Sequence, residues 1–234
     1  MTEDDFDTLR LKIRQLIDNL PEAVDLGGLS KRYKTAGKVH LLRESLIWRA
    51  EEFARNASGL LDAGDCVAAA LLTRALMETT AALVYLHGLV QKGLNIGISR
   101  GLDEKLTGFL VGSKKWGDTG KAIHVNDMLK EVEKVIPGFF TDHYATLSEY
   151  AHPNWQGAFG AYSTTDQKRL IVTFSRDGRL AENHRKQVGS ILFATVDLLS
   201  GYYNFVSDML QPFADAVEAF HTANPDETMP GQSG

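Results

Sequence analysis

From Cys66 to Val90 the chain reads CVAAALLTRALMETTAALVYLHGLV, with no proline and its only glycine near the end. A stretch this long and this apolar on nearly every side has few folding options. As a helix it is buried by other helices or it crosses a membrane. Arg74 and Glu78 stand near its middle, four residues apart, hence on one helix face and one turn from each other. A buried charge is costly unless it is paired. The two are therefore expected to hold each other, or a third group, inside the fold or in a cleft. Arg74, Glu78 and His87 interrupt the apolar run, which favours the centre of a soluble bundle over a membrane span. The opening residues, MTEDDFD, lack the basic-then-apolar pattern of a secretory leader. The single cysteine, Cys66, permits no intrachain disulfide. A cytoplasmic protein without a membrane segment is the expectation.

Helical periodicity predicts helices over residues 6–20, 38–61, 66–91, 102–110, 121–136, 139–151 and 182–210. A further short helix is expected after Gln211-Pro212, reaching Phe220. Ala63-Gly64-Asp65 marks a stop and a new start between two long helices, which should form an antiparallel hairpin. Val188, Ile191, Leu192, Thr195, Leu198, Leu199, Tyr202 and Phe205 are expected on the inner face of the last long helix. Two alternating runs, 157–163 and 169–175, flank the turn-like Thr164-Thr165-Asp166-Gln167 and predict a β-hairpin. The fold class is mainly α: a helical bundle with a small β-hairpin before the last long helix. Three segments follow: an N-terminal helix and basic linker over 1–37, a helical domain over 38–210, and an acidic, partly disordered tail over 211–234.

The net charge of −5 is uneven. Glu3, Asp4, Asp5 and Asp7 at one end, and Asp215, Glu218, Asp226 and Glu227 at the other, remove −4 each, so the body between carries +3. Residues 28–43 hold Lys31, Arg32, Lys34, Lys38 and Arg43 without an acid. Such a stretch either meets phosphate or is a solvated loop and helix start.

A second unusual stretch ends the predicted helix 139–151. Ser148, Glu149, His152 and Asn154 crowd into seven residues, with Tyr150 among them and Trp155 following. His152 lies four residues after Ser148 and three after Glu149, on neighbouring parts of one face. A histidine there can move protons near neutral pH, or it caps the helix C-terminus.

Together, the hairpin LLDAGDCVAAALLTRALMETTAALVYL with its Arg-x-x-x-Glu pair and the later YATLSEYAHPNW resemble the HEPN superfamily of small helical domains. The similarity is to an uncharacterised bacterial branch and spans roughly residues 38–210. The resemblance implies a helical bundle, frequently a homodimer, acting on or near RNA in bacterial defence, toxin–antitoxin or stress systems, often with a partner protein encoded nearby. Active members cleave RNA without metal through an Arg-x(4–6)-His motif. Here Ser148, Leu147, Thr146 and Ala145 occupy the positions before His152, and no arginine stands among them.

For cleavage, Arg74 would stabilise phosphate charge, Glu78 would hold Arg74, and His152 would exchange a proton with a ribose hydroxyl or the leaving oxygen. Ser148, Glu149, Tyr150, Asn154 and Trp155 would line the RNA-binding surface, Trp155 and Tyr150 by stacking on bases. The alternative is a non-enzymatic dimerising scaffold or interaction module whose polar cluster is structural. No cofactor or metal is expected. Glu149/His152 and Glu218/His221 are Glu-x-x-His pairs, but a fourth carboxylate for a di-iron centre is lacking. Gly112-Ser113-Lys114-Lys115 lacks the first glycine and the preceding strand of a phosphate loop. Cys66 suits a small buried thiol better than a nucleophile, because no base stands near it in sequence.

Overall fold

The computed structural model describes residues 1–29, 34–112, 122–176 and 181–225. Lys31 and Arg32 of the basic stretch, Ser113 to Lys115, and residues 226–234 of the tail lie outside them. In chain order the helices are α1 (Glu3–Asp18), α2 (Leu26–Leu29), α3 (Lys34–Asp62), α4 (Cys66–Ile96), α5 (Arg100–Val111), α6 (Val125–Val135) and α7 (Phe139–Ala151). A π-helical segment (Trp155–Phe159) and one turn, α8 (Gly160–Tyr162), lead into the strands β1 (Ser163–Asp166) and β2 (Ile171–Phe174); α9 (Ala181–Ala223) follows. The mainly helical bundle and the hairpin before the last long helix match the sequence expectation.

The chain divides into two compact units. One comprises Met1–Asn19, Arg49–Thr80 and Glu133–Leu198; the other comprises Leu20–Trp48, Ala81–Val132 and Leu199–Gly234.

In the first unit, α3 and α4 form the expected hairpin. Asp65 N–H donates to Leu60 O and Gly64 N–H to Leu61 O, with Gly64 at φ +81°. This is the left-handed helix stop that glycine adopts without steric cost. Arg49 on α3 donates to Thr79 Oγ1 on α4 at 3.2 Å, thirteen residues to either side of the turn, so the two segments run antiparallel in even register. Their buried positions are small: Ala50, Ala54 and Ala57 on α3, Ala69 and Ala70 on α4. Trp48, on the part of α3 that belongs to the second unit, is 49% exposed and donates to Pro21 O. Small side chains let helices approach closely, and Leu61, Leu76 and Met77 fill what remains.

The same unit seats α1 by Phe6, Leu9 and Ile13, under the guanidinium of Arg185 on α9, 4.0 Å from the Phe6 ring. Arg185 also pairs with Glu3, and Arg10 with Asp62. α7 buries Phe140, Leu147 and Tyr150.

In the second unit, Asp103 of α5 is wholly buried. Its carboxylate accepts from Lys38 Nζ at 2.7 and 2.8 Å and from Thr35 Oγ1 at 2.6 Å. Lys38, one of the basic-stretch residues, is thus an internal ion-pair partner. Arg43, another, is 7% exposed; it pairs with Glu44, donates to Tyr203 O and lies 3.5 Å from the Tyr203 ring. Neither is available to phosphate.

Three expectations are corrected. The last long helix does not break at Pro212 but continues to Ala223. Proline inside a helix costs about 3 kcal/mol. Phe213, Ala214 and Val217 just beyond it are buried, and burying Phe and Val side chains returns about 1.5–3 kcal/mol each. Phe205, expected inside, is 53% exposed, and Val206 is buried instead. The buried positions Val188, Leu192, Thr195, Leu199, Tyr202 and Val206 alternate steps of four and three, and Phe205 falls off that stripe. The first predicted strand is displaced as well. Residues 157–162 are helical, and β1 runs from Ser163 over three of the four residues expected to turn, pairing Ser163 with Phe174 and Asp166 with Ile171. The turn is 167–170, where Asp166 Oδ1 accepts from the N–H groups of Lys168 and Arg169.

Candidate functional site

Arg74 and Glu78 do meet on one face of α4, with Nε 3.7 Å from Glu78 Oε1. That is an ion-pair distance but not a hydrogen bond, and Arg74 Nε is buried without an acceptor. The group that joins them is Tyr144 of α7. Its hydroxyl accepts from Arg74 Nη2 at 2.8 Å and donates to Glu78 Oε1 at 2.7 Å. The guanidinium carbon also lies 4.6 Å from the Tyr144 ring centre, a cation–π contact. The hydrogen-bond circuit therefore runs Arg74 to Tyr144 to Glu78 and fastens α4 to α7. Burial pushes the Tyr144 phenol up, and donation to the Glu78 carboxylate pushes it further, against the opposing Arg74 charge. The hydroxyl keeps its proton and remains a donor at neutral pH.

Tyr144 carries a signal that periodicity offered. It stands three residues before Leu147, which is fully buried, so it belongs to the inner face of α7. A tyrosine there brings a hydroxyl that needs a partner.

His152 takes the other place available to it, the C-cap of α7. It has φ −90° and ψ 141°, as a residue before proline requires. Its side chain is exposed, and no hydrogen bond or ion pair among the described residues joins it to Arg74 or Glu78. The predicted catalytic trio is thus brought together only in part. Gly157 explains the tight exit from α7: a Cβ there would lie 2.2 Å from His152 O and 2.6 Å from Tyr150 O.

The remaining candidates are largely structural in their contacts. Ser148 Oγ donates to the Tyr144 carbonyl at 2.6 Å. Glu149 Oε2 accepts from Asn154 Nδ2 at 2.6 Å, and Asn154 Oδ1 accepts from the N–H groups of Gln156 and Gly157, capping the π-helical segment. Tyr150 is 2% exposed and donates to Gln187 Oε1, with its ring edge-on to His184 at 5.1 Å. It is closed off from any base. Trp155, by contrast, is 59% exposed.

Burial pushes the Cys66 thiol up and lowers the His184 imidazole. Cys66 is therefore held as a thiol rather than a nucleophilic thiolate. Among the described residues no three His, Cys, Asp or Glu side chains gather as a metal-binding group. α4 is long and apolar enough to cross a membrane, but 61% of its most apolar window is buried within the protein.

No protein-family model matches the chain, no curated protein matches it, and no solved structure matches it.

Proposed function

We propose that this protein is a non-enzymatic, HEPN-like RNA-binding module, a cytoplasmic homodimer serving a bacterial defence, toxin–antitoxin or stress system. The observation that carries the non-enzymatic part is Tyr144. Its hydroxyl bridges Arg74 and Glu78, while His152 makes no hydrogen bond or ion pair to either among the described residues. A guanidinium that donates to a phenol and stacks on its ring is committed to holding two helices. The sequence resemblance supplies the ligand class.

A second reading, metal-independent ribonuclease, is favoured by one feature: Arg74 keeps 31% of its side-chain surface exposed, and His152 is exposed on the end of the helix that carries Tyr144.

Incubating labelled RNA with the purified protein and a chelator, beside the His152→Ala variant, separates the two. The proposal expects retention of RNA without cleavage by either protein. Cleavage by the wild type that His152→Ala loses would establish the ribonuclease. Failure to retain RNA would move the search to a protein encoded nearby.

A further inference from the structure

We propose that the face built from the π-helical segment and β2 is a docking surface for single-stranded nucleic acid. Trp155, Phe159 and Phe174 would stack on its bases, and Lys168, Arg169 and Arg176 would meet its phosphates. This placement rests on the RNA-binding reading above but is argued from the hairpin itself.

The exposed aromatics are held locally. Trp155, Phe159 and Phe174 are 59%, 45% and 72% exposed. The Trp155 ring lies across Gly160, where a Cβ would come within 3.0 Å of two ring atoms. One ring face is thereby set against backbone while the side chain stays more than half open. Phe159 and Phe174 meet edge to face at 6.5 Å, which ties the π-helical segment to β2. Ser175 N–H donates to Tyr162 O at 2.9 Å and fixes the same junction. Side chains immobilised in this way lose little entropy when a base stacks on them.

The charge of the same element is complementary to a polyanion. Residues 163–176 contain Asp166 against Lys168, Arg169 and Arg176, a local balance of +2 in a chain of −5. Asp166 is already engaged by two backbone N–H groups. The Arg169 and Arg176 side chains are 79% and 81% exposed, and each reaches its nearest carboxylate only at 3.9 Å. Both cations are available to an incoming phosphate. A second copy of the chain is a poorer occupant, because a two-fold contact would set this cationic patch against itself. A duplex is poorer too, since its base faces are already stacked on one another, whereas a single strand offers both bases and phosphates.

The test is fluorescence anisotropy with short labelled single-stranded RNA and DNA at low salt, using the full chain. Phe174→Ala is the key variant; it removes the ring contact with Phe159, so far-UV circular dichroism and the thermal midpoint are measured beside binding to show that the fold is retained. It should weaken binding roughly 5- to 100-fold, the range for loss of one stacking platform. Leu170→Ala, at an 87% exposed apolar but non-aromatic position, should change affinity by less than about twofold. Lys168→Ala with Arg169→Ala should flatten the slope of log affinity against log salt by roughly 1.4. Binding by the wild type that Phe174→Ala leaves unchanged would overturn this surface while sparing the RNA-binding reading. Failure of the wild type to bind any single strand would overturn both. A dimer in sedimentation that Phe174→Ala converts to monomer, with nucleic-acid binding unaffected, would assign the face to a second copy instead.

Discussion

Tyr144→Phe removes one oxygen and keeps the ring, so it isolates the hydrogen-bond circuit from the cation–π contact. The hydroxyl makes two bonds, at 2.8 Å from Arg74 and 2.7 Å to Glu78. Each joins a neutral group to a charged one, a class worth about 1.5–3 kcal/mol net. Arg74 and Glu78 are 31% and 32% exposed, so water takes over part of the lost bonding. The discounted sum for both bonds is about 1–2 kcal/mol. At roughly 2–4 °C per kcal/mol for a chain of this size, the midpoint should fall by about 2–8 °C. Urea and thermal unfolding of the wild type, Tyr144→Phe, Glu78→Gln and the double variant give the coupling energy, expected at about 0.5–1 kcal/mol or more. Binding of RNA should survive in all three variants. A Tyr144→Phe protein as stable as the wild type would refute the clip. So would an Arg74→Ala protein of unchanged stability that no longer binds RNA, because Arg74 would then be serving a ligand.

Three further outcomes follow from the same reasoning. Asp103→Ala strands the Lys38 ammonium, 12% exposed, in the interior and should cost about 3–5 kcal/mol, whereas Lys38→Met with Asp103→Leu should be close to neutral; denaturant midpoints distinguish the two. Gly157→Ala drives a Cβ into the His152 and Tyr150 carbonyls, backbone atoms that cannot swing aside, and should cost about 1–3 kcal/mol, read as a lowered thermal midpoint. Burial lowers His184 in the folded state, so the unfolded chain takes up its proton first as the pH falls. Its stabilising contribution is complete above the unfolded value of about 6.5 and is lost progressively below it. The midpoint should drop as the pH falls through and below about 6.5, and His184→Gln should flatten that dependence; an equally steep fall in the variant would assign it to His40 and His87, which burial also lowers.

The helices were legible because apolar periodicity and capping are local. Gly64 announced its turn, and the helix predicted over 139–151 is α7 as found. The errors share a physical cause. Pro212 is a strong local breaker, yet Phe213 and Val217 are buried around it, and burial decides a helix that local propensity alone would end. The run 157–162 alternates in hydropathy like a strand, but Asn154 caps it as a helical segment and leaves its aromatic residues exposed. A period-two pattern records which side chains differ, not which of them find a partner.

By itself the sequence determined that α4 is a long helix apolar on nearly every side and that Arg74 and Glu78 share one of its faces, because both follow from the geometry of a single helix. Tertiary structure alone decided what that pair holds. The third partner, Tyr144, comes from a helix some seventy residues away, and spacing along one helix carries no information about what packs across from it. It likewise decided that Lys38 and Arg43, equally basic in the sequence, turn inward to Asp103 and Glu44 while Arg169 and Arg176 remain in solvent. A buried charge survives only where the fold delivers its counter-charge, and that delivery is a property of packing.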